Sequence, residues 1–69
     1  MDKSVKKLYN YTSKRIEVKE FEDGFKFDLN DKEHYIMWDE DSLCVIDVIN
    51  GDMDGAYEFS YYDLQMLLN

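Results

Sequence analysis

Proline is absent from these 69 residues, and cysteine, histidine, arginine, alanine and tryptophan occur once each. A single thiol, Cys44, excludes an internal disulfide. With only His34 beside it, the ligands for a zinc site are too few. Cys44 as a nucleophile would need a base close by, and the sequence places none there. Glycine-rich phosphate loops, paired-histidine helices and serine elbows are all missing. The expectation is therefore a protein that is not an enzyme and uses no cofactor and no metal. No apolar run approaches the ~20 residues of a transmembrane helix. The opening Met1-Asp2-Lys3-Ser4-Val5-Lys6-Lys7 lacks the apolar segment of a signal peptide, so no membrane association and a cytoplasmic location are expected. A lone thiol suits that reducing compartment.

The most informative absence is one of charge. Glu33 to Asn69 holds no Lys and no Arg. All eight basic residues lie in the first 32 positions with seven acids, and the remaining 37 positions carry nine acids, so the two stretches balance at +1 and −9. Such acidity repels nucleic acid and anionic membrane as direct ligands. The plain reading of it is solubility.

What is present is apolar pattern and aromatic mass: six Tyr, four Phe and Trp38. Sixty-nine residues make one domain, residues 1–69, with a small core. Val5, Leu8, Tyr9 and Thr12 have helical spacing, with Ser4 as a cap; the alternation Leu8 to Thr12 would instead begin a strand. The helix is favoured. Ile16 to Asn30 reads as a hairpin turned at Asp23-Gly24, because glycine tolerates the positive φ of a type I′ turn. That register pairs Glu22 with Phe25, Glu20 with Phe27 and Val18 with Leu29, and sets Lys19 opposite Asp28. Asp31-Lys32-Glu33 is a connection. His34–Trp38 and Leu43–Ile49 form a second hairpin across Asp39 to Ser42, apolar on both faces. One face needs a helix; the other needs a second helix or another subunit. Ala56–Phe59 is a short strand. Ser60 and Asp63 then form a capping-box arrangement opening a helix with little wet surface. The predicted fold is α+β: an antiparallel sheet of four to five strands, two hairpins plus a short strand, with an N-terminal and a C-terminal helix.

Asn50-Gly51-Asp52-Met53-Asp54-Gly55 has the oxygen spacing of a calcium loop, but position one is Asn and position twelve is Tyr61. A polar turn is the favoured reading. The stronger lead is charge. Alternate residues of a strand stand ~6.7 Å apart on one face, near the spacing of every second phosphate along DNA. Asp39, Glu40 and Asp41 form one cluster, Asp52, Asp54 and Glu58 a second, and Asp47 and Asp63 could join them. Trp38, Tyr57 and Tyr62 lie beside these acids, and aromatics next to a charged rim are common interface anchors.

In size, acidic half, compact α+β pattern and AT-rich codon bias, the chain resembles the small acidic phage proteins that act as DNA mimics. The bias is visible in scarce Pro, Ala, Arg and Gly. The resemblance is one of type and carries no motif. It implies a non-enzymatic inhibitor, acting in the host cytoplasm, that blocks the nucleic-acid-binding surface of a basic host protein. A nucleoid protein of the HU kind is favoured over a restriction enzyme, a CRISPR effector or uracil-DNA glycosylase. A homodimer is expected, since it would join two acidic halves and bury the second apolar face. The alternatives are a structural or regulatory interaction subunit with incidental acidity, and an immunity-type inhibitor of a nuclease or CRISPR effector.

Overall fold

Val5, Leu8 and Thr12 sit on one side of a helix, and all three are buried. This helix, α1 (Lys3–Ser13), opens the computed structural model, which describes residues 1–69. Its N-cap is Asp2 rather than Ser4: the Asp2 carboxylate accepts from the Ser4 N–H at 2.9 Å. An ionised cap is favoured at the positive end of the helix dipole. Five strands follow: β1 (Lys19–Phe21), β2 (Gly24–Leu29), β3 (Lys32–Asp39), β4 (Cys44–Ile49) and β5 (Tyr57–Glu58). They form one antiparallel meander in sequence order. Helix α2 (Tyr61–Leu68) closes the chain behind the expected capping box: Ser60 accepts from the Asp63 N–H, and Asp63 accepts from the Ser60 N–H. The fold is the α+β arrangement read from the sequence.

The first hairpin is paired differently. Phe21 faces Gly24 and Glu20 faces Phe25, so the loop is Glu22-Asp23, and Lys19 lies opposite Lys26 instead of Asp28. Gly24 is not a left-handed turn residue; it begins β2, where an added Cβ would collide with the Ile36 carbonyl. Glycine is needed there for close approach of two backbones. The slip changes partners but not faces, and Phe25 and Phe27 remain in the core. The true two-residue positive-φ turn is Asn30-Asp31, at +52° and +66°. In the third hairpin β3 runs on to Asp39, which faces Cys44. Leu43 falls outside β4, in a left-handed conformation at φ +54°, and does not join the core face with Ile36, Trp38 and Val45.

Both helices cover the same face of the sheet. Val5 and Leu8 from α1 and Leu64 from α2 pack with Phe25, Phe27, Ile36, Val45 and Phe59. Each such side chain removed from water stabilises by about 1.5–3 kcal/mol. Tyr9 meets Phe25 edge-on at 5.6 Å, and Tyr11 meets Tyr61 at 5.1 Å, which ties α1 to the sheet and to α2. On the opposite face Ile46 and Val48 are buried by their neighbours, while Phe21, Tyr35 and Met37 are half-buried. No helix covers them. The outer side of α2 is wetter than expected, with Tyr62 67% and Met66 60% exposed.

Candidate functional site

A meander places its odd-numbered turns at one end. Here the β1–β2 turn brings Glu22 and Asp23, and the β3–β4 turn brings Asp39, Glu40 and Asp41. The N-terminus of α1 adds Asp2, which shares one depression with Met1, Glu22, Asp23, Trp38 and Glu40. Four carboxylates from three elements thus line one depression with Trp38, and Asp39 and Asp41 in the same turn as Glu40 bring the acids of this end to six. The Trp38 N–H donates to the Asp23 carbonyl at 3.3 Å, which holds the two turns side by side. Three of the six, Asp2, Glu22 and Asp23, belong to the nearly neutral first half, and sequence reasoning did not include them. The signal that could have found them is topological: two hairpin turns of one meander must share an end.

These charges are uncompensated. Two contacts join acidic to basic side chains: the Lys26–Glu33 ion pair at 2.9 Å and a buried hydrogen bond between His34 Nδ1 and Asp47 Oδ2 at 2.8 Å. None of the six end carboxylates has a cation within 4 Å. Lys3, Lys6 and Lys7 of α1, and Lys14 and Arg15 just past its end, form no ion pair with these acids; Lys7 lies over the Tyr61 ring at 4.7 Å and Arg15 over the Tyr11 ring at 3.5 Å.

The other acids expected to join the cluster lie elsewhere. Asp52 and Asp54 sit at the opposite end of the β3–β4 hairpin, a strand length of about 20 Å away. Asp52 caps the 3-10 turn Met53–Gly55, accepting from the Asp54 N–H at 3.1 Å. Asn50, at the head of the supposed calcium loop, gives its side-chain oxygen to the Glu33 N–H at 2.9 Å. Glu58 is exposed on the helix-free face opposite Ile46. Asp63 is exposed and occupied by the Ser60 cap. Tyr62 points to solvent from α2.

Asp47 is the clear correction. It is fully buried, so it cannot present charge to a partner. Its Oδ2 lies 2.8 Å from His34 Nδ1 and accepts from the Tyr57 hydroxyl at 3.2 Å. His34 in turn stacks on Phe27, centroids 5.0 Å apart and planes 6° from parallel. The second oxygen, Oδ1, has no partner. Burial first, then the Asp47 charge and hydrogen bond, push the Tyr57 phenol up to about 12. The arrangement links β3, β4 and β5 by a polar contact inside the sheet's core face. His34 and Asp47 are diagonal neighbours, since Ile36 is the residue directly opposite Asp47.

Cys44 is half-buried at the start of β4. Burial chiefly, with Glu58 and Asp39 adding, raises its thiol above the ordinary value, which opposes formation of a nucleophilic thiolate. No helix is long and apolar enough to cross a membrane. No protein-family model, curated protein or solved structure matches the chain.

Proposed function

We propose that this chain is a non-enzymatic acidic inhibitor that occupies the nucleic-acid-binding surface of a basic host protein. A nucleoid protein of the HU kind is the preferred target class. The carrying observation is the convergence of six unpaired carboxylates, from Asp2, Glu22, Asp23, Asp39, Glu40 and Asp41, on one end of a rigid sheet. A small fold gains nothing in stability from gathering like charges, which repel. A partner carrying Lys and Arg gains from the same arrangement, as it does from phosphates. The site is narrower than the whole acidic half, because Asp47 is buried and Asp52 and Asp54 lie at the other end.

Dimerisation belongs to the same proposal. The helix-free face carries Lys19 on the β1 margin and Glu58 on the β5 margin, with Phe21, Tyr35 and Met37 between. A two-fold axis parallel to the strands would lay the β1 margin of each copy over the β5 margin of the other, with Phe21 level with Glu58 and Lys19 two residues further along the strand. Light scattering across a concentration series checks it; a strict monomer at high concentration removes the dimer from the proposal.

The test of function is competition between this protein and labelled duplex DNA for an HU-type protein, followed by anisotropy. Binding should weaken progressively between about 50 and 200 mM salt, as screening shortens the reach of the acidic end. Reversal of Asp39, Glu40 and Asp41 to Lys should abolish it. Salt-independent binding, or full affinity in the triple variant, would sink the reading. It would favour instead an interaction subunit using the exposed Tyr62 and Met66 of α2.

A further inference from the structure

Leu43 is built against stability twice over. Its backbone is left-handed, at φ +54°, a conformation that crowds any side chain with a Cβ. Its side chain is 74% exposed, the wettest of the large apolar residues. The other left-handed positions, Asn30, Asp31, Asn50 and Gly51, are of types that tolerate the geometry. A strained, exposed leucine at one turn asks for a reason outside the isolated fold.

That leucine forms a wall of a groove of about 320 Å³ between the β3–β4 turn and the N-terminal ends of the two helices. Leu8, Trp38, Val45, Phe59 and Tyr61 complete its apolar lining. Glu58 stands at its edge, and Lys7, its one cation, lies over the Tyr61 ring. Trp38 is shared: one side faces this groove, the other the acidic depression of Asp2, Glu22, Asp23 and Glu40. An apolar slot and an unpaired anionic surface are therefore back to back across a single indole.

We infer that the groove receives one large apolar side chain from the basic partner, in a segment where that side chain is flanked by lysines or arginines. The occupant follows from charge complementarity: cations next to the apolar group reach across Trp38 to the acids of the depression, Glu22, Asp23 and Glu40 among them, while the apolar group enters beside Leu43. The inference rests on the function proposed above and adds a shape requirement that DNA itself does not meet. Charge supplies encounter and the buried anchor supplies residence, the usual division at such interfaces.

The experiment uses the full chain and two synthetic peptides, one of Lys and Arg around a central Phe, the other identical but with Ser at the centre. Trp38, the lone tryptophan, reports by fluorescence, and amide NMR shifts map the contact. The Phe peptide should bind about tenfold tighter, change Trp38 emission, and move Leu43, Val45, Phe59 and Tyr61. The Ser peptide should move only Glu22, Asp23 and Asp39 to Asp41. Leu43→Asn, which suits the backbone better, should remove most of the Phe advantage and leave Ser-peptide binding unchanged. Equal binding of both peptides at the acidic end alone overturns the groove and leaves the acidic function standing. If neither peptide moves the acidic end at low salt, both fall. Groove shifts that follow protein concentration without peptide identify a second copy as occupant and overturn the inference.

Discussion

The two ends of the sheet are built by opposite means. At the β2–β3 end every demanding position is filled by a residue that suits it. Asn30 and Asp31 take the left-handed turn, and Asn50 and Gly51 do so beside it. Asn50 then clamps β3, accepting from the Glu33 N–H and donating its own N–H to the Glu33 carbonyl at 2.8 Å. The Glu33 carboxylate meets Lys26, whose ammonium holds it below the ordinary carboxylate range. At the β3–β4 end the same tasks are done badly for the isolated chain. Leu43 takes the left-handed position, Glu22, Asp23, Glu40 and Asp41 have no cation, and Trp38 is only half-buried. One end thus combines suited turn residues with the Asn50 clamp and the Lys26–Glu33 pair, and the other a strained leucine with a half-buried Trp38 among acids that have no cation.

The comparison is broken or kept most decisively at Asp47. Removing the Asp47 carboxylate strips a hydrogen-bond partner from both His34 and Tyr57, at about 1–3 kcal/mol for each buried polar group left unsatisfied, and leaves a cavity besides. A chain of this size has a total stability of only ~3–10 kcal/mol at the usual per-residue scale. Asp47→Ala should therefore leave the protein largely or wholly unfolded in a urea titration. Glu40→Ala, an acid of the same hairpin, should shift stability by no more than ~0.5 kcal/mol. Comparable losses at the two sites would mean that the acidic end is structural after all.

Local rules of strand and helix reach part of this contrast. The alternation of β2, the capping box at Ser60 and Asp63, and the helical spacing of Val5, Leu8 and Thr12 are visible because each depends on near neighbours. Gly24 misleads, since Asp-Gly is a turn signal but this glycine serves a long-range contact with Ile36. Asp47 misleads in the same way: it looks like one more surface acid until its diagonal neighbour, His34, is recognised. Both polar residues occupy core-facing positions of adjacent strands, and that parity was readable in principle. The convergence of Asp2, Glu22 and Asp23 on Asp39 to Asp41 was not, because it requires the order of strands in the sheet.

A smaller effect sharpens the comparison by exchanging residues between the ends. Leu43→Asn replaces a strained, exposed apolar residue with one that tolerates positive φ, and should stabilise the protein by ~1 kcal/mol. Asn30→Leu, the reverse change at the other end, should destabilise by a similar amount. For a domain of this length each is worth several degrees in Tm. Opposite signs support the contrast between the ends. A loss at Leu43 would show that its side chain already packs in the isolated chain.

The smallest effect concerns Tyr57, whose hydroxyl joins the buried network from a side chain 44% exposed. Desolvation comes first, then the neighbouring Asp47 charge and hydrogen bond, and together they lift the phenol to about 12 from its ordinary 10.0. The fold thus favours the neutral phenol. Its contribution is complete below the unfolded value and is lost as pH rises from 10 to about 12, because the unfolded chain releases this proton first. Solvent around the ring keeps the loss small. An absorbance titration of tyrosinate should show a late component that vanishes in Tyr57→Phe. That variant should also lose ~1 kcal/mol at neutral pH with its hydrogen bond, and its urea midpoint should fall less between pH 10 and 12 than that of the parent. If the late component survives in Tyr57→Phe, the phenol is not held by Asp47, and the buried network shrinks to the pair of His34 and Asp47.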